Sequence, residues 1–226
     1  MSESVLLPNY SAPSISGEIL SRLDVNGPRY TSYPTADRFV EAYGPSQYMQ
    51  ALQQRVEGGG AVGGAATPLS VYVHIPFCES VCYYCACNKV ITKHHERATE
   101  YLQALRTEVA LVVEQMGHGQ ALSQLHFGGG SPTFLTDDEL EGLLSTLQSA
   151  FRFVPGGEYS IEIDPRTIDA GRLKRLAAMG FNRLSFGVQD FDPHVQQAVH
   201  RVQPFAQVAE LMAAARAEGL SPSIWT

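Results

Sequence analysis

Outside one ten-residue window this 226-residue sequence has no cysteine: Cys78, Cys82, Cys85 and Cys87 are all it contains. A secreted disulfide framework spreads its cysteines over the elements it staples. Partners two or three residues apart rarely meet bridge geometry, so the clustering argues for metal binding in a reducing cytoplasm. Charge is sparse too. Only 17% of residues are charged, 16 Lys and Arg against 23 Asp and Glu for a net charge of -7. No dense basic run offers the stripe that neutralises nucleic-acid phosphates, so nucleic acid is not an expected partner. Nowhere do about 18 apolar residues run together, and Met1 to Ser11 lacks a basic stretch leading into an apolar one, so neither membrane insertion nor secretion is expected. What is present is 44% hydrophobic residues, enough for a buried core in one large domain or two small ones.

Composition divides the chain in three. Residues 1–57 read as an N-terminal arm with little core pattern, carrying Gly27-Pro28-Arg29-Tyr30-Thr31-Ser32-Tyr33-Pro34-Thr35 and a short helix around Gln47 to Val56. Residues 58–67 are mostly Gly and Ala, a composition that disfavours helix and strand alike and reads as a flexible linker. From 68 to 226 short β-rich runs alternate with amphipathic segments, the pattern of βα units on a parallel sheet. Strands are predicted at Ser70 to Ile75, Gln124 to Phe127, Tyr159 to Ile163 and Arg183 to Val188, mostly apolar, as strands covered on both faces would be. A helix from Arg97 to Met116 puts Leu102, Leu105, Val109, Val112, Val113 and Met116 on one stripe facing the sheet. A second opens at Thr136 with Glu139 three residues on, a capping-box pair, in a unit that Gly156-Gly157 ends. A third covers about Ala170 to Met179 and a fourth about Phe205 to Glu218, each stopped by a glycine.

Cys78-Glu79-Ser80-Val81-Cys82-Tyr83-Tyr84-Cys85 places three thiols in a loop directly after a strand ending near Pro76-Phe77. Structural zinc sites usually split four ligands into two pairs on separate turns, which this chain lacks. Three thiolates around a four-iron cluster leave one iron open to a small chelating molecule. With that spacing after a first βα strand, the chain resembles the radical S-adenosylmethionine superfamily. The resemblance implies a partial TIM-like α/β barrel and a [4Fe-4S] cluster held by Cys78, Cys82 and Cys85, with S-adenosylmethionine on the fourth iron. Cys87, read as a small buried hydrophobe, is followed by Asn88-Lys89, as in the oxygen-independent coproporphyrinogen III oxidases, and the arm motif around Arg29 recurs in the same enzymes. Arg29 suits a tetrapyrrole carboxylate, or the arm simply packs on the barrel. A haem chaperone or another radical enzyme of the superfamily is the first alternative, and a non-catalytic metal-binding protein the second.

His126-Phe127-Gly128-Gly129-Gly130-Ser131 closes the second strand with glycines that let a ligand approach the backbone, or that simply make a tight turn. The resemblance assigns Gly129 to the methionine amino group, and Glu162 and Tyr72 to the same S-adenosylmethionine. Glu162 stands between Ile161 and Ile163 and needs a donor, while Asp164 reads as a turn residue. Tyr84, Gly130, Ser131, Gln189 and Arg201 match the surroundings of a second S-adenosylmethionine. The implied reaction is oxidative decarboxylation of two propionates of coproporphyrinogen III to the vinyl groups of protoporphyrinogen IX. An unidentified electron donor starts it, in a full-length enzyme that is a monomer in the cytoplasm. The chain ends at Ser221 to Thr226, where a fifth strand is due, so the core reads as truncated in its fifth βα unit, without a family aspartate of that strand. A one-base frame shift, a fragment end or a short gene each account for such an ending, and an open sheet edge makes poor solubility the expectation.

Overall fold

The computed structural model describes residues 16–24, 35–58, 61–62 and 65–225. Arg29 and its motif, apart from Thr35, lie outside these residues. The chain forms two compact units, Met1–Tyr48 and Met49–Thr226. The first contains helix α1 (Gly17–Leu23), capped where Ser16 accepts from the Ile19 N–H, and a 3-10 turn at Ala36–Arg38. Helix α2 (Pro45–Glu57) runs across the boundary, slightly longer than its sequence pattern, and like α1 has no buried residue.

The Gly-Ala segment departs from the expected featureless linker. Ala61–Val62 (β1) and Ala65–Ala66 (β2) pair antiparallel, Ala61 opposite Ala66 and Val62 opposite Ala65. Ladder bonds come from the backbone, so even a tract of small residues can form them.

The second unit is built on five parallel strands in chain order: β3 (Leu69–Ile75), β6 (Gln120–Gly129), β7 (Phe151–Ile163), β8 (Arg183–Gly187) and β9 (Ser221–Trp225). Between β3 and β6, Phe77–Cys78 (β4) pairs in parallel with Val90–Ile91 (β5). Helices α3 (Arg97–Met116), α4 (Asp137–Ala150), α5 (Ala170–Ala178), α6 (Pro193–Ala198) and α7 (Phe205–Ala217) fill the connections. This is the partial α/β barrel expected from the sequence. The fifth strand is formed, with Phe186 opposite Ile224 and Gly187 opposite Trp225.

The strands are not apolar on both faces. Val73, Phe127, Ile161 and Leu184 stand side by side and are buried on the helix side, backed by Leu140, Leu143, Leu147, Leu173 and Leu176. Each such side chain contributes about 1.5–3 kcal/mol when fully buried. The neighbouring rows are polar: Tyr72, His126 and Ser160 pair across one, Glu162, Ser185 and Ser223 across another. Period-two alternation of this kind belongs to a sheet whose second face is a working surface.

Strands β6 and β7 start earlier than the sequence pattern, at Gln120 and Phe151, because Gly156-Gly157 lies within β7 and does not end the unit. Gln120 to Leu122 pair with Phe151 to Phe153, then Gln124 to Phe127 with Glu158 to Ile161, so four residues bulge opposite Ser123. The Tyr159 hydroxyl donates to Val154 O at 2.7 Å across this bulge. A Cβ at Gly157 would sit 2.5 Å from that hydroxyl and 2.8 Å from Ser123 O, which only glycine avoids. Local signals elsewhere hold: Thr136 and Glu139 make both halves of the capping box, and α3 has the predicted bounds.

Candidate cofactor site

The site begins where β3 runs out. Pairing of β4 with β5 closes the cysteine segment into a loop, tied by Val90 N–H to Pro76 O (2.7 Å) and Thr92 N–H to Cys78 O (2.9 Å). The Lys89 ammonium donates to Cys85 O at 2.9 Å and draws the loop round itself. All four cysteines are free. Cys82 is buried and Cys78 and Cys85 are half-buried, but Cys87 is exposed, contrary to its reading as a buried hydrophobe. Burial pushes the Cys78 thiol up to about 11, and the neighbouring Cys85 and Cys82 push the same way. A thiol ligand gives up its proton when a metal binds, so metal uptake by this loop releases protons. Among the described residues no three His, Cys, Asp or Glu side chains converge as a single-ion site.

Instead the cysteines border a cavity of about 1000 Å³ at the C-terminal ends of the strands, where parallel barrels place their chemistry. Tyr84, Gly129, Gly130, Ser131, Glu162, Gln189 and Arg201 also line it, so eleven of the residues singled out from the sequence meet here, with Cys78, Cys82, Cys85 and Cys87. Tyr72 is not in this wall. It is 56% exposed, its ring stacks on His126 with centroids 5.8 Å apart, and its hydroxyl lies 3.0 Å from His74 Nδ1. Burial of the phenol, then the Glu162 carboxylate, push it up to about 12.

Glu162 finds its donors within the protein: the Gly129 N–H reaches Oε2 and His126 Nε2 reaches Oε1, both at 3.2 Å. Ser160 Oγ holds the other nitrogen of His126 at 2.7 Å. The glycines serve the scaffold first. A Cβ at Gly130 would lie 2.7 Å from Pro76 O and 2.9 Å from Phe77 O, so the end of β6 can lie against the entry to the cysteine loop only without side chains. Gln189 is different. Both its amide atoms are buried without a partner among the described residues, a cost of about 1–3 kcal/mol per group that a polar ligand in the cavity would remove. The chain's residues therefore fit a metal cluster with a polar chelating molecule beside it: thiols on one side, an unsatisfied amide on another.

Asp164 and Arg166, neither expected at the site from the sequence, stand with Arg201 behind Cys82. Asp164, which reads as a turn residue, accepts from Arg166 Nε at 3.0 Å and from its terminal nitrogen at 2.6 Å, and Arg201 lies 3.5 Å away. Burial alone would raise the Asp164 carboxyl, but the Arg166 hydrogen bonds and the Arg201 charge outweigh it and hold the carboxyl below the usual range. Both guanidiniums donate to Cys82 Sγ, Arg201 at 3.6 Å and Arg166 at 3.7 Å. Arg201 also donates to Gly187 O (2.8 Å) and Gln203 Oε1 (3.2 Å). The loop at 199–203 also clasps the cysteine segment: Tyr83 N–H donates to Val199 O, and His200 Nδ1 donates to Val81 O at 2.8 Å. One signal for Asp164 and Arg166 was in the sequence, since opposite charges at the C-terminal end of a parallel strand seldom serve the turn alone.

A family model described as the radical SAM superfamily matches residues 72–226. The chain belongs to the radical SAM superfamily. Among curated relatives, this radical SAM chain is 46% identical over 201 residues to the oxygen-independent coproporphyrinogen III oxidase of Pseudomonas aeruginosa, covering 88% of this chain and 42% of that protein. It is 40% identical over 208 residues to the enzyme of the same name from Helicobacter pylori, covering 92% and 44%. The solved structure of coproporphyrinogen III oxidase from Escherichia coli, described as a radical SAM enzyme, superposes with a TM-score of 0.77 at 42% identity, over 87% of this chain and 43% of that one. The chain thus spans about two-fifths of the length of these relatives.

Proposed function

We propose that this chain supplies the cofactor-cleaving part of an oxygen-independent coproporphyrinogen III oxidase of haem synthesis. The observation that carries this reading is the shared cavity. The Cys78, Cys82 and Cys85 thiols, the glycine turn at 129–130, the Glu162 carboxylate and the unpartnered Gln189 amide all border one space. Similarity to the oxidases over most of the chain supports coproporphyrinogen III as the substrate.

In this reading Cys78, Cys82 and Cys85 hold a [4Fe-4S] cluster, and Cys87 stays outside the ligand set. When bound, the cluster supplies the electron that cleaves S-adenosylmethionine. Gly129 receives the methionine end of that molecule. Glu162, pinned by His126, faces its nucleoside, with Tyr72 at the border. A second S-adenosylmethionine rests on Tyr84, Gly130, Ser131 and the Gln189 amide. Arg201 lines the same space, with three of its five N–H donors already on Cys82, Gly187 and Gln203. Residues 1–57 act as an arm whose Arg29 pairs with a substrate carboxylate, joined by 58–67 to the core. The working enzyme is a cytoplasmic monomer that takes electrons from a separate low-potential donor.

Anaerobic reconstitution tests the reading. About four irons and four sulfides per chain, with a reduced paramagnetic spectrum that changes when S-adenosylmethionine is added, are expected. A colourless protein holding zinc, or a cluster indifferent to S-adenosylmethionine, rejects it.

A further inference from the structure

We infer that Arg166 is a positioning residue which, together with Arg201, raises the reduction potential of the cluster through Cys82. The inference rests on the cluster reading above. Of the three proposed ligands Cys82 is the one that is buried, and both guanidiniums reach its sulfur, at 3.7 Å from Arg166 and 3.6 Å from Arg201. Among the described residues no cation donates to the sulfur of Cys78 or Cys85. The Arg201 side chain is 10% exposed, Asp164 12% and Arg166 23%, so solvent screens these charges weakly.

The electrostatics follow from the charge count. Two guanidiniums and one carboxylate leave a net positive charge beside a single ligand sulfur. Reduction adds one negative charge to the cluster, and N–H donors on a ligand sulfur stabilise that charge more than they stabilise the oxidised form. In the step itself one electron passes from a low-potential donor, a reduced flavoprotein or iron-sulfur protein, to the oxidised cluster. No bond to the protein breaks and no proton moves. Asp164 has two opposed effects: it holds both guanidiniums in place with its oxygens, and its own charge works against reduction.

This opposition provides a test that a purely structural role would fail. The full chain and its Arg166→Gln, Arg166→Lys and Asp164→Asn variants are reconstituted anaerobically and titrated electrochemically, with the reduced cluster read by its paramagnetic spectrum. For Arg166→Gln the ratio of reduced to oxidised cluster at a fixed potential should fall about tenfold, about 59 mV for a one-electron couple. Arg166→Lys keeps the charge and should lose less than about half of that shift on a logarithmic scale. Asp164→Asn should move the ratio the opposite way, towards the reduced cluster. Shifts of Arg166→Gln and Asp164→Asn in the same direction, or equal potentials throughout, overturn the inference while leaving the cluster reading intact. If Arg166→Gln does not retain iron, Asp164→Asn decides, and a potential at or below that of the wild type overturns it. A wild-type chain that binds no iron and sulfide removes both readings together.

Discussion

Gln189 buries two amide atoms that nothing among the described residues satisfies, which makes it the residue where stability and ligand binding pull apart. Replacing a buried, unpartnered amide by an apolar side chain of similar shape costs little or stabilises, by about 1 kcal/mol. Gln189→Leu should therefore leave the urea midpoint unchanged or raised while weakening S-adenosylmethionine binding several-fold; equilibrium unfolding and a binding titration read the two effects separately. Asp164 makes a different prediction. Its carboxyl is held below the ordinary value, so its contribution to stability is fully present above about pH 4 and is lost as pH falls through the lower folded-state value. Acid unfolding followed by circular dichroism should show this loss in the wild type, and Asp164→Asn should lack that component of the acid limb. The two residues differ in how far the sequence betrayed them. Gln189 stands at the end of a readable strand. Asp164 reads as a turn residue, because its partner Arg201 lies on a loop beyond α5, β8 and α6.

At the scale of elements, the segment from α6 to α7 is held by one buried amide. Gln196 Nε2 donates to Asp190 O at 2.8 Å and to Gln203 O at 2.9 Å, while its Oε1 accepts from the Gln203 N–H at 3.0 Å. The clasp frames His200, which adopts a left-handed φ of 56° and stacks on Tyr83 with centroids 5.2 Å apart. A non-glycine residue persists in that conformation only where its surroundings hold it, here by the bond to Val81 O. Gln196→Leu should destabilise the chain by about 2–4 kcal/mol, since it leaves the buried Gln203 N–H and C=O unpaired and also removes the bond to Asp190 O. Hydrogen exchange should then rise first at 199–203 and at the cysteine loop, ahead of α3 and α4; uniform loss of protection would argue against the clasp. Helices α3 and α4 were legible because periodicity and capping are local. The β6–β7 bulge was not, since the need for glycine at 157 arises from Tyr159 and a carbonyl on the neighbouring strand.

For the whole molecule, the sheet has β3 at one edge and β9 at the other, and among the described residues β9 pairs only with β8. Ile224 and Trp225 on that edge are exposed, a template for pairing with another chain. The isolated chain should therefore associate as its concentration rises, and Ile224→Lys should suppress this. Light scattering coupled to gel filtration measures both, and a monodisperse monomer at every concentration would contradict the expectation. The parallel βα order could be read from alternating patterns, and the three-thiol loop from covalent spacing alone, because neither depends on distant partners. The arginine pair on Cys82 could not: its members come from 84 and 119 positions away. Nor could the polar inner face, which strand register alone lines up. The sequence by itself thus determined which chemical groups the chain carries and the local elements that bear them. Tertiary structure decided which charges meet which sulfur and which amide goes unsatisfied, because burial and strand register set those distances, and both depend on the whole chain.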